Sequence, residues 1–247
     1  MGCIFFCGDT HGNFEHVIQA VQEHQPAAVV FLGDLQPQQS LDKVLAPILG
    51  LAEIWWIPGN HDTDSQAEFD NLFGSQLAER NLHGRVVEIA GVRIAGLGGV
   101  FRGEAWYPPE VRYESYAALL GKYKKPLVRP HRLEWARKHR STIFPEDYNR
   151  LLGQRADILV THEAPACHPH GFEAIDELAR SLRVATAFHG HHHDRLDYSG
   201  HHSRLGFQAF GVGFCGITDE TGAMVLPGAF DERRMGRQVA RGDCHGH

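Results

Sequence analysis

Residues 3–34 have the sequence CIFFCGDTHGNFEHVIQAVQEHQPAAVVFLGD, in which two short apolar runs flank an amphipathic segment. The runs "CIFFC" and "AAVVFL" are rich in β-branched and aromatic residues, as buried strands are. Between them Phe14, Val17, Ile18 and Val21 recur at helical spacing. The stretch therefore predicts a strand, a helix and a second, parallel strand, which is typical of an α/β protein.

The same pattern continues along the chain. "SLDKVLAPILGLA" predicts a helix with Ser40 as its N-cap, and "EIWWI", "ADILV" and "VATAF" predict further buried strands. "GRVVEIAGVRIAGLGG" predicts two strands joined in an antiparallel hairpin at Ala90-Gly91, and "LGFQAFGVGFCGITDETGAMVL" predicts another such pair. Together these strands predict a mixed sheet, or two sheets packed together.

The domain organisation follows from length and composition. A chain of 27.6 kDa with 43% apolar residues can form one α/β domain with a sizeable core. We expect this domain to cover residues 1–227, with a helical insertion at about 101–154 that contains "ESYAALLGKYKK" and "HRLEWARKHR". The tail at 228–247 has little to bury and is expected to be poorly ordered.

No apolar run approaches the roughly 18 residues that span a bilayer, and the first residues lack the basic region of a signal peptide. The five cysteines are irregularly spaced without a CxxC pair, as in reduced proteins. We therefore expect a cytoplasmic protein without a membrane partner.

The charge is distributed unevenly. The chain carries a net −6, yet residues 102–155 contain 12 Lys or Arg against 6 Asp or Glu. Such a segment suits an anionic partner such as nucleic acid, or it is a solvated helical insert. The candidate basic residues for an anionic partner are Lys122, Lys124, Lys125, Arg129 and Arg132.

Polar side chains that bind metals follow five of the predicted strands. Because the carboxyl ends of parallel strands converge on one crevice, these side chains are expected to share a site. They are Asp9 and His11, Asp34, Asn60 and His61, His162, and the cluster "FHGHHHDR" at 188–195.

Spacing sorts the clustered histidines only in part. Residues two apart on an extended segment point to the same side. Asp9 and His11 form such a pair, and so do His191 and His193, preceded by a glycine that permits close backbone approach. His189 and His191 form an equally valid pair, so geometry leaves both registers open.

The motifs "GDTHG", "GD", "GNHD", a single His after a strand and "GHHH" resemble, in that order, the pattern D-x-H, GD, GNH-[DE], H, GH-x-H of the calcineurin-like metallophosphoesterase superfamily. The resemblance runs from residue 9 to 193 and is strongest to small soluble bacterial-type phosphoesterases. It implies a β-sandwich of mixed sheets flanked by helices in α/β/β/α layers. It also implies the register of His191 and His193, which leaves His189 and His192 outside the site.

The resemblance further implies two metal ions. One would be held by Asp9, His11, Asp34 and His193, and the other by Asp34, Asn60, His162 and His191. Mixed oxygen and imidazole ligands suit Mn²⁺ above all, or Fe or Zn²⁺, rather than Ca²⁺. In the family such a pair, about 3.5–4 Å apart, clamps phosphate oxygens and generates a bridging hydroxide nucleophile.

The resemblance implies that His61 is catalytic, since in the family this histidine donates a proton to the leaving oxygen or steadies it. Asp62 and Asp64 are both candidates to orient it, and the sequence does not choose between them. Arg102 and Arg195 are the candidates to hold a non-reacting phosphate.

The chain departs from two branches of the superfamily. "GDLQPQQS" lacks the GD-x-x-D-R-G of protein serine/threonine phosphatases, since Pro37 and Gln38 replace the Asp and Arg. It also lacks the tyrosine ligand of purple acid phosphatases.

The leading hypothesis is a dinuclear-metal-dependent hydrolase of phosphomonoesters or phosphodiesters of small molecules or nucleotides. The alternatives are a nuclease acting on single-stranded or structured nucleic acid, and a non-enzymatic binding scaffold of the same fold. The sequence does not determine the physiological substrate, the native metal pair or the oligomeric state.

Overall fold

A computed structural model describes residues 2–122 and 129–231. Its strands, in chain order, are β1 (Ile4–Cys7), β2 (Ala28–Phe31), β3 (Glu53–Trp56), β4 (Arg85–Ile89), β5 (Val92–Leu97), β6 (Trp106–Tyr107), β7 (Glu110–Val111), β8 (Ile158–Thr161), β9 (Thr186–His189), β10 (Gln208–Gly211), β11 (Ile217–Asp219) and β12 (Met224–Leu226). Its α-helices are α1 (Glu15–His24), α2 (Leu41–Val44), α3 (Gln66–Phe73), α4 (Tyr116–Gly121), α5 (Pro130–Lys138), α6 (Pro145–Leu151), α7 (Glu173–Leu182) and α8 (His202–Leu205).

The strands form two five-stranded mixed sheets and a separate two-stranded hairpin, β6-β7. The first sheet has the order β12-β11-β1-β2-β3, in which β1, β2 and β3 are parallel and β11 is antiparallel to β1. The second has the order β10-β9-β8-β5-β4, and only β4 runs antiparallel to its neighbour. The predicted β-α-β-α-β start and the mixed sheets are confirmed.

The two sheets pack face to face through large apolar side chains. Phe6 of β1 stacks on Phe188 of β9 with ring centroids 4.0 Å apart, and both side chains are fully buried. Because side chains alternate along a strand, Phe5 and Phe31 face the other way, into a second core with Val17 of α1. The second sheet packs in the same manner against α6 and α7. This arrangement is the predicted α/β/β/α sandwich.

One predicted helix is shorter than expected. "SLDKVLAPILGLA" forms only the four-residue α2 and a 3-10 turn at Ala46–Ile48. Pro47 has no backbone N–H to continue an α-helix, so the chain changes to the tighter turn there. Ser40 precedes α2, but its hydroxyl bonds to the Asp42 side chain rather than to a backbone N–H.

The two predicted hairpins have different outcomes. β4 and β5 pair in full register around Ala90 and Gly91, whose φ angles of 50° and 82° suit a two-residue hairpin turn. Near the C-terminus the antiparallel pair is β11-β12, whereas β10 pairs parallel to β9 in the other sheet. The segment from β10 to β12 therefore contributes strands to both sheets.

The insertion lies between β5 and β8 and contributes α4, α5, α6 and the β6-β7 hairpin. Lys124 and Lys125 of the predicted basic surface lie outside the described residues, as does the tail from residue 232 onward. Of the tail's first residues, Ala229 donates its N–H to the Phe214 carbonyl oxygen, and Asp231 is buried. None of the helices within residues 2–122 and 129–231 has the length and apolarity needed to cross a membrane.

Candidate metal centre

Five loops at the carboxyl ends of strands bring the predicted polar residues together. Asp9 and His11 follow β1, Asp34 follows β2, Asn60 and His61 follow β3, His162 follows β8, and His191 and His193 follow β9. Asp9, Asp34 and His162 have side chains that are almost completely buried. The first three loops come from one sheet and the last two from the other. The site therefore lies at the carboxyl ends of strands from both packed sheets.

The first group of potential ligands consists of Asp9, His11, Asp34 and His193, each offering an atom within 4.8 Å of the others. Nε2 of His193 lies 3.0 Å from Asp9 Oδ2 and 3.1 Å from Nε2 of His11. Nε2 of His11 lies 3.9 Å from Asp34 Oδ2. Two carboxylates and two imidazoles that converge in this way form a donor set suited to a transition-metal cation.

A second group adjoins the first. Asp34, His162 and His191 again offer atoms within 4.8 Å of one another. Nε2 of His162 lies 3.4 Å from Asp34 Oδ2 and 3.2 Å from Asn60 Oδ1, which brings the predicted asparagine to the same place. Asp34 belongs to both groups, so a single buried carboxylate connects them.

Hydrogen bonds outside these groups fix the direction of two imidazole rings. Nδ1 of His11 lies 2.5 Å from Gln36 Oε1, and the Gln36 amide in turn donates to Glu68 at 2.7 Å. Nδ1 of His162 donates to the Leu32 carbonyl oxygen at 2.7 Å. In both rings Nε2 is therefore the nitrogen that faces Asp34, an arrangement common around metal-binding histidines.

The backbone at the site adopts conformations that side chains generally disfavour. His11, Asp34, His191 and His193 all have positive φ angles, of 42°, 51°, 71° and 55°. For residues other than glycine such angles cost about 1–3 kcal/mol each and cluster at functional sites. The packing of the loops, rather than local preference, holds these four side chains in place.

Gly190 allows the close approach that its position suggested. A Cβ atom built on this residue would lie 2.4 Å from Asp9 Oδ1 and 3.0 Å from the Leu32 carbonyl oxygen. The N–H of His191 donates to both carboxylate oxygens of Asp9. The loop after β9 can thus lie directly on Asp9 only because residue 190 has no side chain.

The buried carboxylates attract positive charge. Burial lowers the pKa of His162, but the Asp34 and Asp9 carboxylates outweigh this effect and raise the pKa to about 10. Burial would raise the pKa of Asp34, yet the His162 imidazole holds that pKa well below its usual range. The pKa of His191 is lowered to about 3, first by burial and then by the charge of His162. The centre therefore favours a cation beside Asp34 and Asp9 and a neutral His191, which is the form that can bind a metal.

His61 lies beside the two groups with its side chain 46% exposed. Its backbone N–H donates to Asp34 Oδ1 at 2.8 Å, and its ring centroid is 5.5 Å from that of His11. Nδ1 of His61 lies 2.6 Å from Asp64 Oδ2. Burial lowers the pKa of His61, but the Asp64 hydrogen bond and the Asp34 charge raise it overall.

Asp62, the other candidate to orient His61, has a different position. Its carboxylate is fully buried and accepts the backbone N–H groups of Leu35, Gln36 and Gly59. It joins the loops after β2 and β3, whereas Asp64 contacts the His61 ring. The structure thus distinguishes the two aspartates that the sequence left equivalent.

The two arginines predicted to bind phosphate have different surroundings. Arg102 is partly buried, with Nη2 3.5 Å from Ser141 Oγ and the negative charges of Asp64 and Glu163 acting on it. Arg195 instead donates from both terminal nitrogens to the β11-β12 hairpin, at 2.5 Å to Thr218 Oγ1 and 2.6 Å to the Gly222 carbonyl oxygen. These contacts join Arg195 to the first sheet, and its role in binding a non-reacting phosphate stays a prediction.

The two neighbouring histidines have partners of their own. His189 is buried with Nε2 3.0 Å from the Tyr198 hydroxyl, and burial lowers its pKa to about 4. His192 stacks on His168 with centroids 3.8 Å apart. His192 also forms a third group of potential ligands with Glu163 and His191, for which the sequence carries no motif.

Comparison with known proteins agrees with this geometry. A sequence model of the calcineurin-like phosphoesterases matches residues 4–195. An uncharacterised protein of Haemophilus influenzae is 40% identical over 232 residues, which cover 90% of this chain and 96% of that protein. The crystal structure of TT1561 of Thermus thermophilus is 14% identical and has a TM-score of 0.54, covering 92% of this chain and 98% of that one. This last likeness concerns the fold alone.

Proposed function

The chain belongs to the calcineurin-like phosphoesterase family, and from that premise we propose that it is a dinuclear-metal-dependent hydrolase of phosphomonoesters or phosphodiesters of small molecules or nucleotides. The observation that carries the proposal is the position of Asp34. Its buried carboxylate is shared by two adjacent groups of potential ligands, as a bridge between two cations requires.

The donor set fits two metal ions. We assign Asp9, His11, Asp34 and His193 to the first, and Asp34, Asn60, His162 and His191 to the second. Mixed carboxylate, amide and imidazole donors suit Mn²⁺, with Fe or Zn²⁺ as alternatives. When bound, the ions supply Lewis-acid activation of the phosphate ester and of water. Two divalent cations beside two aspartates leave a net positive charge, which attracts a phosphate anion.

His61 is the residue we assign to proton transfer. Asp64 engages Nδ1, which leaves Nε2 of the half-exposed ring to donate a proton to the leaving oxygen. General acid catalysis of this kind contributes about 10²–10⁴-fold to the rate. Asp64 keeps the ring oriented and favours its protonated form, since its carboxylate raises the pKa of His61.

Arg102 is the residue we assign to binding a non-reacting phosphate oxygen. Its Nη2 lies 3.5 Å from Ser141 Oγ, and the same hydroxyl lies 2.7 Å from Thr63 Oγ1 in the turn that carries His61. Burial lowers the pKa of Arg102, although the group remains charged at every physiological pH. A charged donor at this place would orient the substrate.

The nuclease alternative depends on the basic insertion. In its described part, Arg137 donates to the backbone of the His61 loop and Arg140 lies over the Tyr116 ring, 4.2 Å from its centroid. These contacts occupy two of the basic side chains within the fold. The five basic residues that the sequence offers to a polyanion are different ones, so the nuclease stays the alternative proposal.

The deciding experiment combines metal analysis with a substrate panel. We expect the purified protein to bind two equivalents of Mn²⁺ and to hydrolyse chromogenic phosphate esters, with activity lost on chelation and restored by Mn²⁺. Labelled oligonucleotides in the same panel test the nuclease. Well under one equivalent of metal, with no turnover of any ester, would instead support a binding scaffold.

A further inference from the structure

The insertion contacts the turn that carries His61 and Asp64. Arg137, near the end of α5, donates from Nε to the Thr63 carbonyl oxygen at 3.1 Å and from Nη2 to the Asp64 carbonyl oxygen at 2.8 Å. One guanidinium therefore holds two consecutive peptide groups. Hydrogen bonds from a charged, planar donor of this kind are stronger and more directional than those between neutral groups.

A second contact, between two side chains, holds the same turn. The Thr63 hydroxyl lies 2.7 Å from Ser141 Oγ, and both residues are buried. Ser141 ends the 3-10 turn His139–Ser141 that directly follows α5. Its carbonyl oxygen accepts the N–H of Val100, just beyond β5, so this end of the insertion is anchored to the second sheet.

The turn itself is short and partly exposed. Residues His61–Thr63 form a single 3-10 turn, and the side chains of His61 and Asp64 are 46% and 54% exposed. An ion pair this exposed does not hold its own geometry well, because both side chains can exchange their bond for water. The position of Asp64 must therefore come from the backbone that carries it.

We propose that Arg137 is a positioning residue, through which the insertion fixes the Asp64 backbone and thereby aims His61 at the leaving group. The inference rests on the proposed function, because it requires His61 to act as proton donor. It adds that the insertion acts on the proton-transfer step, in addition to any role in binding substrate.

The test measures kcat and KM for aryl and alkyl esters of phosphate and methyl phosphate, with leaving groups from strongly to weakly acidic. For Arg137→Met we expect kcat to fall about 10- to 100-fold for weakly acidic leaving groups and to stay near wild type for strongly acidic ones. Arg137→Lys should restore part of the loss, since one ammonium can reach one carbonyl oxygen. Metal content should not change.

Arg140→Met is the matched control, because Arg140 belongs to the same insertion and lies over Tyr116 instead of the turn. It should behave as wild type with every ester. In hydrogen exchange of the metal-free protein, the amides of residues 61–64 should exchange faster in Arg137→Met than in this control.

A loss in Arg137→Met that is equal for all leaving groups, or no loss, would overturn the proposal. If this variant is insoluble, Thr63→Val removes the link to Ser141, and it must show the same dependence on the leaving group or the proposal fails. Failure of the proposed function gives a different result: wild-type protein hydrolyses no ester, or His61→Ala loses activity equally for all of them.

Discussion

Nδ1 of His11 and Oε1 of Gln36 lie 2.5 Å apart, and the amide nitrogen of Gln36 donates to Glu68 from the other side. A potential metal ligand is thus oriented by a neutral amide that is itself held in place. We expect Gln36→Leu to weaken cation binding at the first group by about 10- to 100-fold, because the His11 ring loses the acceptor that fixes it.

A calorimetric titration of the metal-free protein with Mn²⁺ checks this prediction. Gln36→Glu keeps an acceptor at the same place and should retain most of the affinity. Gln19→Leu, an exposed position on α1, is the control. Equal affinity in Gln36→Leu and wild type would show that the contact with His11 does not orient a ligand.

Asp34 and His193 should differ in how many cations they affect. Asp34 belongs to both groups of potential ligands and His193 only to the first. Asp34→Asn should therefore weaken both binding events in a metal titration, whereas His193→Ala should weaken one and leave the other close to wild type. Selective loss of one event in Asp34→Asn would contradict the bridging role proposed for this residue.

His61→Ala should retain both metal ions and lose about 10²–10⁴-fold in kcat with weakly acidic leaving groups. The loss should shrink as the leaving group becomes more acidic, since such a group departs without a proton. Asp64→Asn should show the same dependence with a smaller loss, because the ring keeps a hydrogen-bond partner. A fall in metal content of His61→Ala would identify His61 as a ligand instead.

The location of the site could be predicted because it depends on local signals. Apolar runs mark the strands, and the residues at their carboxyl ends meet wherever the strands are parallel. The positions of Asp9, Asp34 and His162 follow from this rule alone. Their burial in the structure is a consequence of the same packing.

The partners of these residues could not be predicted, because each depends on contacts distant in sequence. Asp62 and Asp64 are equivalent in sequence, but only the packing of the β2 loop on Asp62 turns one inward. Arg195 lies two residues after His193, yet its guanidinium finds acceptors on a hairpin more than 20 residues further along the chain. The contact between Gln36 and His11 likewise joins two different strand ends.

The interface between the two sheets should be sensitive to loss of volume. Phe188 stacks on Phe6 in the centre of the sandwich, and neither side chain is exposed. Phe188→Ala should lower the free energy of unfolding by about 3–5 kcal/mol, because it removes buried area and leaves a cavity. Phe188→Leu should lower the free energy of unfolding by a smaller amount. Urea unfolding of both variants checks the prediction, and a loss below about 1 kcal/mol for Phe188→Ala would mean that the two sheets readjust.

Asp147 provides a test of stability against pH away from the candidate centre. Burial would raise its pKa, but Nε2 of His83, 3.3 Å away, and Arg150 hold the pKa below its usual range. A carboxyl whose pKa is depressed by folding stabilises the protein above its unfolded pKa of about 3.9, and this contribution is lost as the pH falls through the lower folded value. Asp147→Asn should therefore be about 1–3 kcal/mol less stable than wild type at pH near 7, and the difference should narrow below about pH 4. Urea unfolding at both pH values measures this difference in the free energy of unfolding, with Asp70→Asn at an exposed position as the control. A difference that stays constant with pH would show that Asp147 acts through packing and not through its charge.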